Sequence, residues 1–223
     1  QNARLVGLQV TPGATTEVKA NWPTNLSRID LNFIVTVPNG VNVQLKTASG
    51  TIHVANIEGK VTTESASGSI SISGVMGSVD LRSASGSIRA QQIAGDLTAA
   101  AASGSIRASD VTGKTTATSV SGAVDIVNPG NVVVGSTVSG RLQVTANKVA
   151  GDYQLHATSG PVMVTLPSDA SVTVKAKSIS GTVARLPWLT LGEGRNSASG
   201  TQGDGTYKIT VDTASGAITI GSR

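Results

Sequence analysis

The chain has 223 residues, a formal charge of +4 from 17 Lys and Arg against 13 Asp and Glu, and no cysteine. That composition excludes a disulfide framework, a thiolate metal site and a cysteine nucleophile. The charges are dispersed without a basic run or interleaved aromatics, which argues against nucleic-acid binding. Aromatics are only 2% of a chain that is 39% hydrophobic, so the expected core is thin and filled by small and β-branched side chains.

In chain order, the first apolar segment is Leu5-Val-Gly-Leu-Gln-Val10. The sequence opens on Gln1 rather than Met, which leads to the expectation of an exported protein whose signal peptide has been removed, or of a boundary of the expressed chain. Ile29, Leu31, Phe33, Val35 and Val37 alternate strictly and stop at Pro38-Asn39-Gly40, the pattern of a half-buried strand closed by a turn. Residues 1–45 are therefore read as irregular N-terminal strands of a single solenoid domain spanning 1–223.

From residue 46 to 185 the sequence repeats itself. Gly50, Gly68, Gly86, Gly104, Gly122 and Gly140 recur every 18 residues, each preceded by serine, and Gly59, Gly77, Gly95 and Gly113 fall halfway between them. Fixed self-similarity of this kind is the mark of a solenoid. The unit is nine residues, with inward positions at Ile70, Ile72, Val75, then Val79, Leu81, Ala84, then Ile88, Ala90, Ile93, then Leu97, Ala99, Ala102. The glycines are expected at corners with φ > 0, and Asn131, standing where the next glycine is due, fits the same left-handed corner. Because two kinds of half alternate, the predicted fold is an all-β solenoid with 18-residue, two-sided coils, with a three-sided section as the alternative. The recurring serines, Ser49 to Ser139, read as a structural ladder.

An 18-residue stack places Glu64 beside Arg82, Asp96 beside Lys114 and Arg107 beside Asp125, opposite charges worth roughly 0.2–1 kcal/mol per pair. Farther on, the segment 186–206 is rich in Gly and Ser and reads as a protruding loop carrying Trp188, Glu193, Arg195 and Asp204. Residues 207–223 resume the motif as a terminal coil, leaving both ends of the stack uncovered. Pairing of Ile218 and Ile220 with Leu5, Val6, Leu8 and Val10 of a second copy would then build a head-to-tail filament.

The Ser-Gly-Ser-Ile repeats at 67–70, 85–88 and 103–106, the phrase Leu166-Pro-Ser-Asp-Ala-Ser-Val172, Ser180-Gly181 and the terminal Thr213-Ala-Ser-Gly-Ala-Ile218 resemble a bacterial adhesin-type β-solenoid family, a domain family without assigned function. The resemblance spans roughly residues 30–220 and implies an exported or envelope-associated solenoid, in some members tied to envelope stress. It transfers no catalytic residues, and it implies that the chain begins inside the family's N-terminal strands.

Site chemistry is sparse. The outward column Ser71, Asp80, Arg89, Thr98, Arg107, Thr116 and Asp125 lacks the recurring aspartates of calcium-binding β-rolls. His53 and His156 are far apart without metal-ligand spacing, so neither a metal nor a cofactor is expected. Arg89 and Arg107 would form a small cationic step beside Asp125. The expectation is a non-enzymatic structural or adhesive protein, extracellular, on the cell surface or in the envelope. Its expected partners are itself or a surface glycan or other envelope component. An envelope-stress sensor binding a peptide, lipid or glycan is the alternative. No apolar run is long enough for a transmembrane helix.

Overall fold

The computed structural model describes residues 34–184 and 186–223 and the backbone of two N-terminal strands. The chain divides into two compact units, Gln1–Val37 and Pro38–Arg223. In the first, β1 (Gly7–Thr11) and β2 (Glu17–Asn21) pair antiparallel, with Leu8 opposite Ala20 and Val10 opposite Val18. Leu5, Val6, Ile29, Leu31 and Phe33 lie outside the described residues. Ile34–Val37 form no strand, and Val35 is exposed, because no neighbouring strand among the described residues pairs with them; Asn39–Gly40 do form the expected turn.

The second unit opens with β3 (Val43–Thr47) and β4 (Ile52–Ile57) and repeats the pair six times. These repeats are β5 (Val61–Ser65) and β6 (Ile70–Val75), β7 (Val79–Ser83) and β8 (Ile88–Ile93), and β9 (Leu97–Ala101) and β10 (Ile106–Val111). They continue with β11 (Thr115–Ser119) and β12 (Val124–Val127), β13 (Val133–Thr137) and β14 (Leu142–Thr145), and β15 (Tyr153–Ala157) and β16 (Val162–Leu166). Odd-numbered strands stack in one parallel sheet and even-numbered strands in another. The register is that of an 18-residue coil, with Val61 beside Val79 and Ile70 beside Ile88. Each coil is two-sided, and the inner faces close over a core of Val, Ile, Leu and Ala whose bulkiest fully buried side chain is Tyr153.

The two halves of a coil are not equivalent nine-residue units. Strands such as β7 bury alternate residues without interruption, so Val79, Leu81 and Ser83 point inward while Ala84 is exposed; Ala101 is likewise buried and Ala102 exposed. Strands of the other sheet carry an extra residue, so β8 buries Ile88, Ala90 and then Ile93. That extra residue is left-handed in five successive coils: Asn56, Gly74, Gln92, Asp110 and Asn128 have φ of 55°, 64°, 54°, 55° and 49°. Asn, Asp and Gly enter this region most readily, and one added residue inside a strand bends it.

The corner glycines and Asn131 do not adopt positive φ, contrary to expectation. The repeated glycines are required because successive corners touch. A Cβ built on Gly104 would lie 2.0 Å from the carbonyl oxygen of Gly86, and one on Gly122 2.0 Å from that of Gly104. Gly59, Gly77, Gly95 and Gly113 make a looser ladder at the opposite corner, where a Cβ on Gly77 would lie 2.5 Å from the Gly59 oxygen.

After β16 the spatial order departs from the chain order. The chain forms β17 (Val172–Ser178), β18 (Val183–Ala184), β19 (Thr190–Leu191), a 3-10 turn at Glu193–Arg195, β20 (Ser197–Gln202), β21 (Tyr207–Thr213) and β22 (Ile218–Ser222). The last coil inserts into the stack: β21 lies between β15 and β17, and β22 between β16 and β18. Ile218 is in register with both Val162 and Val183, whereas Ile220 is paired on one side only, with Val164 of β16. The segment 186–206 is not a free loop, since β20 runs antiparallel along β17 and β19 along β20, covering this end of the eleven-stranded sheet.

Candidate functional site

Along the Ser-Gly corner, hydroxyls at the last inward position of most odd strands, though not of β9 and β15, which end in Ala101 and Ala157, hold the turn. Ser65, Ser83 and Ser119 accept the N–H of the glycine three residues on at 2.8, 2.8 and 2.9 Å. Thr137, Thr213 and Ser178 do the same for Gly140, Gly216 and Gly181. Such hydroxyl-closed turns satisfy an amide that the tight corner leaves without a ladder partner. Ser49 to Ser139, the serines singled out in the sequence, are the exposed residues of this corner, whereas the hydroxyls that bond inside it are two positions earlier.

The expected charge relations are met in part. Arg107 pairs with Asp125 at 3.2 Å, and Arg89 lies in register beside Arg107. Asp96 accepts the backbone N–H of Lys114 at 2.8 Å, so the neighbouring coils are joined through the peptide group. Glu64 does lie beside Arg82 in register, but its ion pair is with Lys46 at 2.8 Å, while Arg82 turns back to Asp80 at 3.4 Å. The hydrogen bond from the Lys46 ammonium, with its charge, holds the Glu64 carboxyl below the usual carboxylate range.

His53 and His156 stand on different sheets, in β4 and β15. Trp188 is half-buried against the core and offers no open platform, and Asp204 sits in the turn after β20, its N–H donating to Ser171 at 2.8 Å. The loop residues of 186–206 therefore serve the end cover of the sheet.

Chemistry gathers on the outer face of the eleven-stranded sheet near that cover. Register places Ser136, His156, Asp212 and Lys177 in one row across four adjacent strands. The next row holds Val134, Gln154, Thr210 and Lys175. Two depressions of about 430 and 480 Å³ open along these rows and share Thr210 and Asp212. One is bounded by Asp152 and Lys208, the other by Thr190–Gly192 and Ser197–Ser199 on the antiparallel cover. None of Lys175, Lys177, Lys208 and Asp212 forms an ion pair with another described residue.

Beneath the floor lies Tyr153, fully buried, with a hydroxyl that has no hydrogen-bond partner; burial pushes its pKa up to about 12. Sequence reasoning missed this site, because the insertion of β21 between β15 and β17 is what brings His156, Asp212 and Lys177 together. The signal available was the break in regular spacing after Gly140, where the next corner glycine is Gly160. The described residues hold no group of three or more metal-ligating side chains.

The Toastrack DUF4097 family model matches residues 25–138 and again 133–221, together most of the chain. That match carries no adhesin label. No curated protein and no solved structure matches.

Proposed function

The chain belongs to the Toastrack DUF4097 family, and on that premise we propose that it is a non-enzymatic structural or adhesive solenoid of the cell surface or envelope that works through its lateral faces. The observation that carries this reading is the outer face of the eleven-stranded sheet, where rows of hydroxyl, amide and charged side chains repeat at the strand spacing of about 4.8 Å. Such a face meets a long partner through many weak, equivalent contacts, which suits an extended polymer better than a compact substrate. Its rigidity comes from the stacked coils below, so contact costs little ordering of the protein.

The stack's ends support the same reading. With β20 lying along β17 and β19 along β20 at one end of the eleven-stranded sheet, the outer faces of the stacked strands are left for lateral contact. Placement at the surface or envelope draws on the family resemblance read from the Ser-Gly repeats.

The test is to immobilise the native chain, pass purified bacterial envelope polysaccharide over it, and assay the eluate for new reducing ends. Saturable retention with the polymer intact is the expected result. Release of new reducing ends would contradict the non-enzymatic reading, and absence of retention would contradict the lateral-contact reading.

A further inference from the structure

We propose that the double depression across β13, β15, β21, β17 and β19 binds an acidic oligosaccharide, with Lys175, Lys177 and Lys208 meeting its carboxylates and Asp212 its hydroxyls. This deepens the lateral-contact reading and rests on it.

The shape argues for a chain-like ligand. The depressions share Thr210 and Asp212 and run from strand to strand, along the stack rather than along any strand. From β13 to β19 there are five strand spacings, about 24 Å. An extended polysaccharide advances by a step comparable to one strand spacing per ring, so successive sugars meet successive strands.

The side chains argue for its charge. Lys175 and Lys177 are two apart on β17 and so share its outer face, and Lys208 stands on the adjoining strand in register with Thr173. Three ammonium groups against the carboxylates of Asp152 and Asp212 leave the site net positive, and ammonium–carboxylate hydrogen bonds are the stronger kind. A uniformly anionic polymer would bring negative charge against Asp212, whereas a uronate chain alternates carboxylates with hydroxyls that donate to it. No exposed aromatic ring lines the site, since Tyr153 is fully buried beneath it. Stacking on neutral sugars is therefore not on offer, and charge must supply the affinity.

The test is calorimetric titration of the full chain with tetragalacturonate and with its methyl-esterified, uncharged counterpart. The acid should bind saturably and weaken as salt is raised, and the ester should bind at least ten-fold more weakly. The double substitution K175Q/K177Q should lose at least ten-fold in affinity for the acid, while the charge-matched K46Q/K60Q, made elsewhere on the unit, should bind as the unaltered chain does. Circular dichroism confirms that each variant is folded. Equal affinity of K175Q/K177Q and the unaltered chain, or no binding of the acid to the unaltered chain, overturns the proposal. If the envelope polysaccharide is nonetheless retained in the experiment above, the cleft assignment fails while the lateral-contact reading stands.

Discussion

The hydroxyl of Ser119 accepts the N–H of Gly122 at 2.9 Å and donates to the carbonyl of Gly104, in the preceding coil, at 3.1 Å. One buried side chain thus closes its own corner and ties it to its neighbour. Ser119→Ala removes both bonds and leaves a buried amide without an acceptor, so stability should fall by roughly 1–3 kcal/mol. In the preceding coil this column holds Ala101, buried and without a hydroxyl. Ala101→Ser should raise stability by about 1 kcal/mol. Denaturant unfolding of the two variants measures both.

Gly104→Ala places a methyl group against the backbone oxygen of Gly86, which is itself fixed in the ladder. Neither corner can yield without separating the coils, so a loss of about 3 kcal/mol or more is expected. Gly40→Ala is the contrast. A Cβ there meets nothing within 4 Å, and its cost is that of a φ of 75°, on the order of 1 kcal/mol. Thermal unfolding should rank the two in that order.

Thr115 occupies an inward position where neighbouring coils carry Leu97 and Val133, and its buried hydroxyl has no partner. Thr115→Val keeps the shape and removes an unmet hydrogen-bonding group. The variant should be more stable by about 1 kcal/mol, read as a higher denaturant midpoint with an unchanged slope.

Tyr153 makes stability fall at alkaline pH. Its unfolded pKa is near the ordinary 10, and the folded one is raised to about 12 by burial. Between those values the folded chain holds the proton that the unfolded chain has lost, so stability decreases as pH rises through that window and is unaffected by this group below it. The full loss is roughly 3 kcal/mol. Tyr153→Phe should remove that part of the decline, without loss of stability at neutral pH, in unfolding curves taken at pH 8 and pH 11.

The period was legible because every coil solves one packing problem, so Ile70, Ile88 and Ile106 recur where the same wall must be filled. The reason for the corner glycines was not. Close approach and positive φ both select glycine, and only the distance from Gly104 to the Gly86 oxygen separates the two causes. The true left-handed column was present as Asn56, Gly74, Gln92, Asp110 and Asn128, residues mostly of the right kind at the right spacing, but Gln92 disguises it. The order of the final coils was illegible for a different reason. A repeat specifies which faces stack, not which copy stacks on which, so nothing in residues 207–223 announces that β21 and β22 slide in beneath β17 and β18. The cleft around Asp212 follows from that step alone.

The functional contact proposed above lies on the lateral face of the eleven-stranded sheet. Residue-resolved NMR chemical-shift mapping of the full chain with soluble envelope polysaccharide reads it out residue by residue. Shifts should concentrate at His156, Thr210, Asp212, Lys175 and Lys177. Shifts confined to β3 and β4 at the other end of the stack, or to the exposed residues of the Ser-Gly corner, would contradict it.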